Sequence, residues 1–203
     1  MKANTARGLV NQILYDIDRV DDPRDRSMAA RCADSIINRR HFSHPVEWYA
    51  EALSLTLGAG RLSPQTSQMS RRYSEAELLG FLTLLAECLD EARPWPRPAF
   101  VKRDIAEWAA FGEARAIAKI VRPMHQINGI LNAAFDFVPL GEERLPVMIL
   151  ELRSGEVVAL MGSIEPKSMT FLLMRRDPGD PVALITRFCE YTRFSAREVI
   201  PLT

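Results

Sequence analysis

Apolar residues recur three and four positions apart through the first part of the chain, the spacing of helices with one buried face. Met28, Ala29, Cys32, Ala33, Ile36 and Ile37 form one such face. Asp22-Pro23-Arg24-Asp25 offers it a cap, a proline at the first helical position and an acid in the first turn. Val46, Tyr49, Ala50, Leu53 and Leu57 form the next face, which stops at Gly58-Ala59-Gly60. Ser74-Glu75-Ala76-Glu77 reads as a capping box opening LLGFLTLLAECL, apolar on most of its circumference and so the expected centre of the helical region. Three prolines in Arg93-Pro94-Trp95-Pro96-Arg97-Pro98 forbid helix and mark a boundary. A further helix, capped at Asp104 with Glu107 in its third position, is expected to run through Trp108 and Ala116 and to end near Arg122-Pro123.

From Leu145 the period changes to two. In PVMILELRSGEVVALMG, a two-residue turn at Ser154-Gly155 sets Met148, Leu150 and Leu152 on one face with Val157, Ala159 and Met161. Arg153 and Glu156 then pair across the turn. A second hairpin is expected from MTFLLMRR to VALITRFCEY, joined by Asp177-Pro178-Gly179-Asp180-Pro181. These elements predict an α+β protein: a helical region over 1–93, then a region over 94–203 with an antiparallel meander of about four strands under one or two helices. The two regions are separate domains or one continuous domain.

The 203 residues, 47% hydrophobic and 26% charged, are enough to bury a sizeable core. Twenty-six basic residues balance twenty-six acidic ones, which argues against a nucleic-acid or anionic-membrane partner. The N-terminal stretch meets Asp16 and Asp18 before any long apolar run, unlike a signal peptide, and no window has the length of a membrane span. Cys32, Cys88 and Cys189 are odd in number and far apart, with no C-x-x-C pair, so a reducing, cytoplasmic setting is expected. Gly-rich phosphate loops and nucleophile-elbow, zincin and kinase motifs are all missing from the sequence, and no cofactor is expected.

Three constellations carry candidate chemistry. In HFSHPVEW, His41, His44 and Glu47 have a spacing that suits a metal on one helix. Pro45 disfavours helical backbone at His44, however, so the expected reading is a helix starting at Pro45, capped by Ser43 or His44, and no metal. In RPMHQINGILNAAFDF, a helix from Pro123 puts His125, Asn128 and Asn132 on a polar stripe, with Asp136 one turn further. That stripe could line the pocket of a small enzyme or ligand-binding domain, with the imidazole exchanging protons near neutral pH. The arginine doublets Arg39-Arg40, Arg71-Arg72 beside Tyr73, and Arg175-Arg176 suit an acidic partner.

With neither cofactor motif nor triad, the leading expectation is a non-catalytic protein that binds another protein. A bacterial immunity protein or antitoxin-type inhibitor is one concrete form. Arg71, Arg72, Tyr73 and Trp95 are its expected contacts, with Trp48 and Trp108 as further aromatic candidates. The alternative is the His125 enzyme.

Overall fold

Helix α1 (Ala3–Leu14) leads into a one-turn 3-10 helix (Ile17–Arg19), followed by α2 (Arg26–Ile37), α3 (Val46–Ala59), the short α4 (Pro64–Ser67) and α5 (Glu75–Glu91). A computed structural model describes residues 2–15, 17–19, 21–163 and 168–202, and the chain divides into two units, Met1–Pro96 and Arg97–Thr203. In the first unit α5 packs against α2 and α3, burying Leu78, Phe81, Leu82, Leu85, Cys88 and Leu89. Its capping box forms as read: Ser74 Oγ accepts from the Glu77 amide at 3.4 Å, and the Glu77 carboxylate accepts from the Ser74 amide at 2.9 Å. Helix α3 buries Val46, Tyr49 and Leu53 and ends where Gly60 turns left-handed at φ 64°. That conformation is strained for any side chain with a Cβ. Tyr49 is fully buried, and its hydroxyl lies 2.6 Å from Gln12 Oε1, which gives the polar tip a partner inside the core. Burial pushes the nearby Cys32 thiol up to about 12, so it is an inert packing group.

Helix α2 starts one turn later than Asp22-Pro23 suggests. Asp22 closes a turn by accepting from the Arg24 amide at 2.8 Å, and Asp25 is the true cap, accepting from the Ser27 amide at 2.8 Å. Two aspartates three apart both suit capping, and the second won.

The second unit is a seven-stranded antiparallel sheet: β1 (Phe100–Lys102), β2 (Arg115–Val121), β3 (Asp136–Leu140), β4 (Glu143–Leu152), β5 (Val157–Met161), β6 (Thr170–Arg175) and β7 (Val199–Pro201). Its order is β1-β4-β5-β6-β2-β7, with β3 also paired to β4. Helices α6 (Met124–Leu131) and α7 (Pro181–Tyr191) cover one face through Ile127, Leu131, Leu184, Ile185 and Phe188. On the other face Val147, Ile149, Val157, Ala159 and Met174 pack with Phe111 and Trp108 of a 3-10 turn, Ile105–Phe111. The α+β class stands; several finer expectations for this unit do not.

The sheet has seven strands rather than about four. ARAIAKIV is strand β2, not the continuation of a helix from Asp104, because the 3-10 turn stops at Phe111 and Gly112 and the chain then pairs with β6 and β7. VALITRFCEY is helix α7, not a strand: the Asp180 carboxylate caps it by accepting from the Val182 amide at 2.9 Å, and Pro181 fits its first turn. The β4–β5 register also differs by one residue. Leu150 pairs with Val158 and Ile149 with Ala159, because the loop is Arg153-Ser154-Gly155, closed by the Leu152 amide on the Glu156 carbonyl at 2.9 Å. Gly155 takes φ 94° there. A slip of one reverses every side chain of β5. Met148, Leu150 and Leu152 therefore share a face with Val158 and Leu160, while Val157, Ala159 and Met161 lie opposite. Arg153 and Glu156 accordingly do not pair. Arg153 Nε donates to the Arg97 carbonyl at 2.6 Å, and Glu156 meets Arg187 at 2.5 Å.

Candidate functional site

The histidines of HFSHPVEW lie in the loop before α3. Pro45 occupies the cap position itself, one residue before the helix, and no side-chain cap from Ser43 or His44 is made there. His44 instead stacks on Trp48, centroids 5.0 Å apart and planes 11° from parallel, while Glu47 sits in the first turn. Among the described residues no group of three His, Cys, Asp or Glu side chains is placed to hold a metal ion.

The polar stripe of 122–137 is cut short. Helix α6 begins at Met124 and ends at Leu131, and Asn132 turns left-handed (φ 46°), a conformation asparagine tolerates, with its amide donating to the Asn128 carbonyl. Asp136 is not one turn further along the helix; it opens β3 and is ion-paired with Lys102 at 2.8 Å. His125 is exposed, and the half-buried Asn128 keeps a shielded Oδ1 without a hydrogen-bond partner among the described residues. The helical stripe therefore carries His125 and Asn128, with Asn132 at its C-cap and Asp136 on a separate element.

The arginine doublets are largely occupied within the fold. Arg40 pairs with Asp34 at 2.9 Å near the end of α2. Arg175 donates to the Gly179 carbonyl and Arg176 pairs with Asp177 at 3.1 Å; together with Arg115 they line an open cleft of about 600 Å³ whose other charges are Glu113 and Asp177. The Arg71-Arg72-Tyr73 loop is fastened by Asp18, whose carboxylate accepts from Ser70 Oγ and, at 3.1 Å, from the Arg71 amide. Arg72 donates to the Asp18 and Asp21 carbonyls, its guanidinium lies 5.2 Å from the Tyr73 ring centre, and Tyr73 donates to the Asp21 carbonyl at 3.2 Å. The Ser70 hydroxyl, then the Arg71 amide, hold the Asp18 carboxyl below the usual carboxylate range.

That geometry makes a prediction. An unfolded aspartate titrates near 3.9. A carboxyl held lower in the folded state contributes stability that is fully present above about pH 4 and is lost as the pH falls through the depressed value. Asp18→Asn is expected to lower the melting temperature at pH 7, with the gap to wild type narrowing as the pH falls below about 4. It is also expected to speed tryptic cutting after Arg71 or Arg72, because the loop loses its fastening. An unchanged cutting rate would show the loop to be held by something other than Asp18.

Trp95 is only partly exposed. Its indole N–H donates to the Leu89 carbonyl at 2.7 Å, and the Arg93 guanidinium lies 3.8 Å from the ring centre while bonding Asp90 at 2.8 Å. The indole is thereby fixed as a wall rather than projecting as a knob. That wall closes one end of a groove of about 610 Å³ between α3 and α5. Glu47, Ala50, Glu51, Ser54 and Leu57 line it from α3, and Ala86, Leu89, Asp90, Arg93 and Trp95 from α5 and the chain beyond. The α3 positions follow helical spacing, so they run about 15 Å along one side. Alanines at 50 and 86 keep the walls low, while Leu57, Leu89 and Trp95 give an apolar floor.

Sequence periodicity placed Ala50 and Leu57 on the buried face of α3 and weighed Glu47 only beside His41 and His44. Only the pairing of α3 with α5 turns those positions into a concavity. No family model, no curated protein and no solved structure matches the chain, so the reading of function rests on this geometry.

Proposed function

We propose that the chain is a protein-binding module whose α3–α5 groove receives a segment of another polypeptide. The observation that carries this reading is the groove itself: an apolar floor of Leu57, Leu89 and Trp95 between two rigid helices, with polar side chains at its rim. Apolar concavities with a few polar groups at the edge favour binding, because water leaving the floor supplies energy and the rim sets orientation. Trp48, 44% exposed and braced by His44, stands beside Glu47 and enlarges the aromatic surface near the groove. An immunity protein or antitoxin-type inhibitor acting in the cytoplasm is one form such a module takes. The Arg71-Arg72-Tyr73 loop has a smaller part in this proposal, since its bonds to Asp18 and Asp21 leave it as a brace for the helical unit.

The test is site-specific photo-crosslinking in the native cell. A benzoylphenylalanine replacing the exposed Trp48, beside Glu47 near the groove, is expected to give a discrete adduct with another protein, whereas one at Thr83, an exposed α5 position outside the groove, gives none. Equal adduct yields at the two positions would remove the groove from the account.

A further inference from the structure

Apart from the α3–α5 groove, we infer a second site, one that binds a small amphipathic carboxylate: an apolar chain ending in one anionic head. It is a recess of about 340 Å³ on another flank of α3, walled by α1 and by the chain from Arg61 into α4. The local sequence builds it. Gly60 ends α3 left-handed, and Ser63 Oγ then caps α4 by accepting from the Thr66 amide at 3.1 Å. Thr66 Oγ1 in turn donates to Asn11 Oδ1 of α1 at 2.7 Å, which fixes α4 against that helix. The floor is apolar: Val10 and Leu62 are buried there, and Ala6 and Ala59 are too small to fill the space. Leu55 lines the same recess yet is 48% exposed, an apolar surface that a ligand would cover.

The charge on this recess has one sign. Arg7 and Arg61 line it, and none of its lining residues is acidic. Arg7 Nη1 donates to Gln65 Oε1 at 3.1 Å, a neutral amide that orients the guanidinium without cancelling its charge. Among the described residues neither arginine meets a carboxylate, and Glu75 Oε1 is engaged by the Leu62 amide at 2.7 Å. The hydroxyls are engaged as well: Ser63 Oγ lies 2.8 Å from Thr66 Oγ1, whose proton goes to Asn11. Two guanidiniums beside an apolar floor are what meets a ligand. A guanidinium presents paired N–H donors that match the two oxygens of a carboxylate, whereas an ammonium head would meet like charge.

The size selects a small molecule over a protein. Small-molecule sites begin at about 300 Å³, whereas a stable protein interface takes about 800 Å² from each partner. Water leaving Val10, Leu55 and Leu62 supplies affinity, about fourfold for each methylene buried, and the arginines select the head.

The experiment titrates the full chain with octanoate, butyrate and octylammonium, read by isothermal titration calorimetry and by the shift in melting temperature. Octanoate is expected to bind saturably and to raise the melting temperature. Butyrate keeps the head and loses four methylenes, so it should bind at least about tenfold more weakly. Octylammonium should show no binding at the same concentrations. Arg61→Gln and Arg7→Gln are each expected to weaken octanoate binding by about fivefold or more. Ala59→Trp, at an exposed position where the indole fills the recess, is expected to abolish it. Arg197→Gln removes an exposed arginine of the other unit and should bind octanoate as wild type does. Circular dichroism confirms that each variant folds.

Octanoate and octylammonium binding alike would overturn the inference, because the arginines would then select nothing. Butyrate matching octanoate would also overturn it, since the apolar floor would contribute nothing. Octanoate binding that survives Ala59→Trp would place the ligand elsewhere, and a chain that binds no octanoate has no such site. The α3–α5 groove is independent of all these results and is decided by the crosslink at position 48.

Discussion

Leu150→Asp is expected to abolish cooperative unfolding of the sheet unit. Leu150 is 0% exposed on β4, the partner of Lys102 on one side and Val158 on the other, and its side chain lies in the cluster covered by α6 and α7. An ionised carboxylate has no partner there; leaving it charged, or protonating it to avoid the charge, costs several kcal/mol against a total stability of about 5–15 kcal/mol. The register sharpens the test. Val158→Asp buries its charge in the same cluster and should be as damaging, whereas Met161→Glu, on a half-buried residue of the opposite face, should cost much less. Near-ultraviolet circular dichroism and thermal melts read both outcomes. A soluble Leu150→Asp protein with an unchanged melting temperature would mean that this face is not the buried one.

The next largest effect is expected from a single methyl group. A Cβ added at Gly162 would stand 2.6 Å from Pro146 Cγ and 2.8 Å from Phe171 Cε1. Neither neighbour can easily retreat. Phe171 is fully buried against Phe135 with ring centres 4.9 Å apart, and the Pro146 carbonyl accepts from the Gly162 amide at 2.9 Å. Overpacking of this kind costs about 1–3 kcal/mol, so Gly162→Ala should lower the melting temperature by roughly 5–20 °C. Phe171→Leu should restore part of that loss in the double variant, because it removes the ring the new methyl strikes. A Gly162→Ala protein that melts like wild type would show that the β4 and β6 side chains give way at this point.

Where the chain speaks locally, its sequence is a good guide. The Ser74–Glu77 capping box, the left-handed stop at Gly60 and the Val46-Tyr49-Leu53 stripe depend on neighbours within a turn or two, and each is where the pattern puts it. The misreadings arise where two local signals compete. VALITRFCEY is rich in strand-forming Val, Ile, Thr and Phe, yet Asp180-Pro181 and the spacing of Leu184, Ile185 and Phe188 prevail as a helix packed on the sheet. Ser154-Gly155 suits a two-residue turn, but the Arg153 amide is drawn to the Ala99 carbonyl at 2.8 Å, and the loop takes in Arg153. The groove depends on contacts between distant segments and cannot be read from either. Ala50 and Ala86 look like ordinary helix formers until α3 and α5 are set side by side. Trp95 stands out in the sequence, but the use of its N–H on the Leu89 carbonyl becomes visible only in three dimensions.

The central claim is that the molecule acts through the groove and not through His125. It is tested most directly by how much of the polypeptide captured by the crosslinker at position 48 is retained by immobilised wild type, Ser54→Trp, which fills the groove, and His125→Ala, each shown to be folded. The account predicts that Ser54→Trp retains almost none and His125→Ala as much as wild type. A folded His125→Ala protein that retains none, beside a Ser54→Trp protein that retains all, would contradict it.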